Sequence, residues 1–124
     1  MSLSDRAWAE IDLNALRQNL LICQNVAGKS ALWPVLKANA YGHGAIECAR
    51  ICQELKVPLI GVGDSSEALQ LRHAGIQTRL LILGTAIDSE IAAIQEYDIE
   101  VGVHSEVRIQ ELGIIAKEYN KKLG

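Results

Sequence analysis

Lys37 stands directly behind an almost wholly apolar run, Leu32 to Leu36 (LWPVL), and opens the stretch Ala38-Asn39-Ala40-Tyr41-Gly42-His43-Gly44. Lysines are rarely buried without a partner. At the carboxyl end of a strand in an α/β protein, such a side chain points to the ligand-binding face. Desolvation makes an amine give up its proton more readily, which turns it into a nucleophile able to form a Schiff base with a carbonyl. Tyr41 adds a hydroxyl, and Gly42 and Gly44 permit close backbone approach in a loop that enters a helix, a setting that favours an anion such as phosphate. The residues therefore point to a carbonyl compound that carries a phosphate. They leave a second reading open: a strand-end lysine that snorkels to water before a glycine turn.

The elements that must position this lysine alternate along the chain. Ala7 to Ile11 (AWAEI) reads as a short strand. Asp12 then opens an amphipathic helix whose Leu16, Leu20, Ile22 and Cys23 recur at three- and four-residue spacings, ending near Gly28. Leu32 to Leu36 reads as a strand, although Pro34 is tolerated there only if its nitrogen faces no ladder partner. A helix follows from Gly44 to Leu55. Leu59 to Val62 (LIGV), Leu80 to Leu83 (LLIL) and Ile99 to Val103 (IEVGV) are further strands. They are separated by helices that start at Asp64 with Glu67 three residues on, at Asp88 or Ser89, and at Ser105, the last running to about Lys121. Gly75 is placed to end the first of these in the left-handed conformation.

From Leu32 onward the pattern is four strand–helix units, recurring every 20–25 residues or so. Continuous apolar strands between amphipathic helices predict a parallel sheet covered by helices. Periodicity alone does not separate a doubly wound sheet from part of a (β/α)8 barrel. A whole barrel takes about 250 residues, of which four units would be half.

Composition narrows the function classes. The 124 residues suit one domain, 49% are hydrophobic, and the net charge of −3 is spread along the chain. No basic stripe suggests nucleic acid. The apolar runs are too short for a bilayer and no signal peptide is legible, so a cytoplasmic protein without a membrane partner is expected. Cys23, Cys48 and Cys52 read as small buried side chains in a reducing compartment rather than as disulfides or a metal clip, and no metal site is expected. His43 reads as a loop or helix-start residue, and His104 as a capping or packing residue. His73 lies near a helix carboxyl end, where the dipole favours a cation. Asp64 and Asp88 read as caps, and Trp33, alternating with Val35 and Lys37, as interior filling beneath the site.

The string VLKANAYGHG, preceded by AWAEIDLNALRQNL, closely resembles the amino-terminal signature of alanine racemases. The likeness continues through Gly61-Val62, DSSEALQLRHAGI, LLILG and Val103-His104-Ser105, essentially the whole chain. What the resemblance implies is a pyridoxal 5′-phosphate (PLP)-binding (β/α)8 TIM barrel, of which about the first four strand–helix units are present in residues 12–124. Residues 1–11 then resemble the segment that lies beside a C-terminal β domain. In that family the motif lysine binds PLP covalently and is the catalytic base, which maps to Lys37. The motif tyrosine bonds the cofactor phosphate and maps to Tyr41. Cofactor-lining positions map to Val35 and Leu83.

The implied activity is PLP-dependent interconversion of L- and D-alanine, an isomerase reaction that supplies D-alanine for peptidoglycan, in a homodimer. A second-base tyrosine from the partner subunit and an arginine at the pyridine nitrogen belong to regions beyond this sequence. A truncated amino-terminal fragment is therefore expected to be inactive alone and to bind PLP weakly. The alternatives are a non-catalytic PLP-binding or carrier module of the same barrel type, or a half-barrel that only associates. Three structural expectations follow. Lys37 should project from its strand toward Tyr41, four parallel strands should lie in sequential order with helices on one face, and the open inner face should drive self-association.

Overall fold

The structure, a computed structural model, describes residues 6–119. The end of the last expected helix at Lys121 lies outside them. Helix α1 (Leu13–Ala27) begins where Asp12 accepts hydrogen bonds from the amides of Asn14 (2.9 Å) and Ala15 (3.0 Å). It ends at Gly28, whose φ of +59° suits glycine. Its buried stripe is Leu13, Leu16 and Leu20 rather than Ile22 and Cys23, which are exposed. The reading of Cys23 as buried is thereby corrected.

After a short left-handed helical turn, α2 (Lys37–Tyr41), come α3 (Ala45–Glu54), β1 (Leu59–Val62), α4 (Ser65–His73), β2 (Arg79–Ile82), a 3₁₀ turn (Asp88–Glu90), α5 (Ile91–Glu96), β3 (Glu100–Val101) and α6 (Glu106–Glu118). The sheet order is β1-β2-β3, all parallel, with Gly61 opposite Leu81 and Leu81 opposite Glu100. Val35 joins the outer side of β1 through a single parallel bridge to Gly61. The four segments are thus in sequential spatial order, as expected of a barrel wall rather than a doubly wound sheet, whose order reverses midway.

Two expected strands shrink, and one is missing. The Leu32-to-Leu36 strand is reduced to that one bridge, in which Gly61 N–H donates to Pro34 (2.9 Å) and Leu36 N–H donates to Gly61 (2.8 Å). The preceding rung would need an N–H at position 34 to reach Leu59, and proline has none. Strand β3 keeps only two residues of the expected five, with Gly102 N–H adding one more bond to the Ile82 carbonyl (2.9 Å). Ala7 to Ile11 is exposed and has no ladder partner among the described residues, so the strand expected there is not formed within this structure.

One sheet face is the core. Ile60, Val62, Leu80 and Ile82 are at most 1% exposed and pack with Cys48, Ala49 and Cys52 of α3 and Ala68 and Leu71 of α4. The opposite face is open: Trp33, Val35 and Leu83 are 55%, 38% and 41% exposed. Asp64 caps α4 through the Glu67 amide (2.9 Å) and Ser105 caps α6 through the Arg108 amide (3.2 Å), as expected. Gly75 takes φ +88° behind α4. Asp88 and Ser89 are not caps of α5: they lie within the 3₁₀ turn, and Asp88 instead pairs with Arg108 at 2.8 Å. No helix among the described residues is long and apolar enough to cross a membrane.

Candidate active site

The site begins where the chain leaves the sheet. Beyond Val35 the backbone turns up from β1 and winds through Ala38, Asn39, Ala40 and Tyr41 with φ between +51° and +54°, a full turn of left-handed helix without a glycine in it. Each such residue costs roughly 1–2 kcal/mol relative to its right-handed form. Strain of this kind persists only where the surroundings over-determine it. Here they do. Ala40 N–H bonds the Leu36 carbonyl (2.9 Å), and Gly42, at φ +89°, closes the turn onto Ala38 and Asn39. The Asn39 side chain accepts from the Ala45 amide (2.9 Å) and so caps α3, while His43 Nδ1 donates to the Ala40 carbonyl (2.8 Å). His43 is therefore a loop and helix-start residue, as its place in the sequence suggests.

This turn sends Lys37 up from the open face. The Lys37 ammonium nitrogen is 6.0 Å from the centroid of the Tyr41 ring, within reach of a cation–π attraction. Its Cβ lies 3.5 Å from the point where a side chain on Gly63 would begin, so the lysine stands over the carboxyl end of β1. Both Lys37 and Tyr41 are exposed. Val35 and Leu83 flank Gly61 just below: a Cβ on Gly61 would meet Leu83 Cδ1 at 3.2 Å and Val35 Cγ2 at 3.3 Å. The bare Gly61 backbone is thus a shallow apolar cradle between two aliphatic walls. A Cβ on Gly84 would sit 2.6 Å from the Gly63 carbonyl oxygen. Three glycines therefore keep the strand ends free of side chains beneath the lysine.

The four residues expected to form the site, Lys37, Tyr41, Val35 and Leu83, thus come together at one end of the open face. Their chemistry fits PLP: a primary amine for an aldehyde, aliphatic walls for an aromatic ring, and a phenol hydroxyl for a phosphate. Trp33 shares the face two residues before Val35 but is mostly exposed.

Glu67 is the residue that sequence reasoning missed. Its spacing from Asp64 predicts a capping box in which the glutamate would accept from the Asp64 amide. The carboxylate instead reaches across the strand ends, accepting from Gly63 N–H and from Ala38 N–H, each at 2.7 Å. The box spacing was the signal, but it does not say which amide the glutamate would find.

Other candidates have structural settings. Cys48 and Cys52 are buried under the sheet; burial, reinforced by the neighbouring Cys48, pushes the Cys52 thiol up to about 11. His73 packs edge-on against Tyr97 at 5.2 Å at the end of α4. His104 borders a separate cavity of about 260 Å³ at the start of α6, beside Arg108, whose guanidinium is held by Asp88, Glu111 and the Ala86 carbonyl. No group of three His, Cys, Asp or Glu among the described residues could hold a metal ion.

Comparison with known proteins adds a family. Residues 11–124 match the family described as alanine racemase, N-terminal domain. The alanine racemase of Methanococcus maripaludis is 38% identical over 120 residues, covering 96% of this chain and 32% of that protein. The alanine racemase of Fusobacterium nucleatum subsp. nucleatum is 36% identical over 118 residues, covering 95% of this chain and 33% of that protein. The solved structure of alanine racemase from Clostridium difficile 630 in complex with cycloserine matches with a TM-score of 0.91 at 33% identity, over 98% of this chain and 34% of that one. The chain spans about a third of the length of the curated relatives it matches.

Proposed function

Because the chain belongs to the alanine racemase N-terminal-domain family, we propose that it forms the lysine-bearing part of a PLP-dependent racemase that interconverts L- and D-alanine. The observation that carries this reading is Lys37 standing at the carboxyl end of the open sheet face, its nitrogen 6.0 Å from the Tyr41 ring and above the cradle at Gly61. When bound, PLP supplies an electron sink for the charge left at the substrate Cα.

The remaining roles fall to this chain's own residues. Lys37 Nζ would hold the cofactor at its aldehyde carbon and would move the Cα proton on one face of alanine. Tyr41 would hold the phosphate through its hydroxyl, and Val35 and Leu83 would line the ring and exclude water from it. Inversion needs a second proton-transfer group on the opposite face, which the resemblance assigns to a tyrosine of a partner subunit. Alanine as substrate, a homodimer, a cytoplasmic location and supply of D-alanine to peptidoglycan belong to the same proposal.

Borohydride trapping tests it. Incubated with PLP and reduced, the chain should carry the adduct at Lys37 in preference to its other lysines, read by peptide mass mapping. In the protein that carries this chain, Lys37→Ala should abolish D-alanine formation in a coupled assay. An adduct spread evenly over all lysines, or undiminished racemisation by Lys37→Ala, would overturn the reading.

A further inference from the structure

We propose that Glu67 is the positioning residue for Lys37, its carboxylate standing in for the missing rung between the lysine's backbone and β1. The proposal rests on the reading of Lys37 as the reactive amine. A continued parallel ladder would pair residue 37 with residue 63, sending Gly63 N–H to the Leu36 carbonyl and Ala38 N–H to the Gly63 carbonyl. Neither bond forms, because the chain turns away into the left-handed helix. The Leu36 carbonyl is taken by Ala40 N–H at 2.9 Å, and the Gly63 carbonyl by Gly84 N–H at 3.1 Å.

Two backbone amides are thereby orphaned side by side, one just after Lys37 and one at the end of β1. A single half-buried carboxylate satisfies both, one oxygen each, at 2.7 Å. Charge-assisted bonds of this kind are short and strong. The Glu67 backbone is fixed in turn, because its amide is the one that Asp64 caps at 2.9 Å. The rigid first turn of α4 is therefore coupled to the first residue of the strained turn, and Lys37 lies between the ladder bond at Leu36 and the clamp at Ala38. Carboxylate geometry is required. Glutamine keeps the length but turns one acceptor into a donor facing an N–H, and aspartate is a methylene short.

The test reads the clamp and the lysine separately in the 124-residue chain. Amide hydrogen exchange reports on Ala38 and Gly63, and the rate of borohydride trapping with PLP reports on Lys37. Glu67→Gln should speed exchange at Ala38 and Gly63 by about tenfold or more, leave the core amides of Ile60 and Leu80 unchanged, and slow trapping at Lys37 about tenfold against the other lysines. Glu67→Asp should restore neither readout. Unchanged exchange at the two amides together with wild-type selectivity for Lys37 in Glu67→Gln overturns the proposal. So does faster exchange throughout the core, which marks a merely structural role. If wild-type Lys37 is trapped no faster than other lysines, the reading of Lys37 fails, while exchange at Ala38 and Gly63 still decides the clamp. If the variants do not fold, through-hydrogen-bond couplings in the wild-type chain, from the Ala38 and Gly63 amide nitrogens to the Glu67 carboxyl carbon, support the clamp when present and overturn it when absent.

Discussion

Replacing Arg72 with alanine should destabilise this chain more than any loss of a surface charge would. The side chain leaves the last turn of α4 toward the segments that lead into β2 and β3. Its Nε donates to the Tyr97 carbonyl (2.9 Å), Nη1 to those of Ile76 and Thr78 (both 2.8 Å), and Nη2 to that of Asp98 (3.0 Å). One guanidinium thus holds α4, the approach to β2 and the turn from α5 into β3, where Asp98 takes φ +51°. Burial pushes its pKa down from the ordinary arginine value, and the nearby Asp98 charge opposes that shift. Hydrogen bonds to charged groups are each worth roughly 1.5–3 kcal/mol net, so four set a ceiling of about 12 kcal/mol. Water can replace the exposed bond to Asp98, and removing the ion recovers its desolvation cost. The expected loss is therefore about 3–5 kcal/mol. With a urea slope of roughly 2 kcal/mol/M, the unfolding midpoint should fall by about 2 M. Arg72→Lys keeps the charge but not the fork, and should recover less than half of the loss. Urea denaturation followed by far-UV circular dichroism measures both. A loss below about 1 kcal/mol for Arg72→Ala, or a wild-type midpoint for Arg72→Lys, would refute the reasoning.

Gly84→Ala should break the last β1–β2 rung, since its Cβ would fall 2.6 Å from the Gly63 oxygen; a loss of roughly 1–3 kcal/mol is expected in thermal unfolding. Ala38→Gly should act in the opposite direction, relieving φ +51° for a net gain of about 0.5–1 kcal/mol after the extra unfolded-state entropy; a lower melting temperature would contradict the strain. Asn39→Ala removes the cap on the Ala45 amide and should cost about 1 kcal/mol by denaturant titration. The Cys52 thiol, raised from 9.0 to about 11 by burial and by Cys48, makes stability fall on the alkaline side. The unfolded thiol ionises first, so stability is intact below pH 9 and declines between 9 and 11. A flat urea midpoint across that window for wild type, or the same decline in Cys52→Ala, would refute this.

Local pattern was enough for the elements whose signals are local. Apolar runs placed β1, β2 and α3 to within a residue or so, and Asp12, Asp64, Ser105, Gly28 and Gly75 marked ends of α1, α4 and α6, because they act on amides and carbonyls only a few positions away. Strand alternation around Lys37 put Val35 and Lys37 on one face, whereas Leu83 entered the candidate site only through the family resemblance. It failed where a single side chain serves several segments. Ile22 and Cys23 satisfied a helical period but lie off the stripe that α3 buries, and the period alone does not say which of two overlapping stripes faces the core.

By itself, the sequence determined an alternating α/β chain whose one strand-end lysine precedes a tyrosine and two glycines, because those are properties of short segments and of side-chain chemistry. Only the tertiary structure decided that the lysine's strand would shrink to one bridge, that Ala38 to Tyr41 would wind left-handed, and that Glu67 would close the gap this leaves. The physical reason is the obligation to satisfy every backbone amide. Pro34 withholds one rung and the turn removes the next, and which acceptor then fills the vacancy depends on what α4 brings within 2.7 Å, 29 residues along the chain from Ala38.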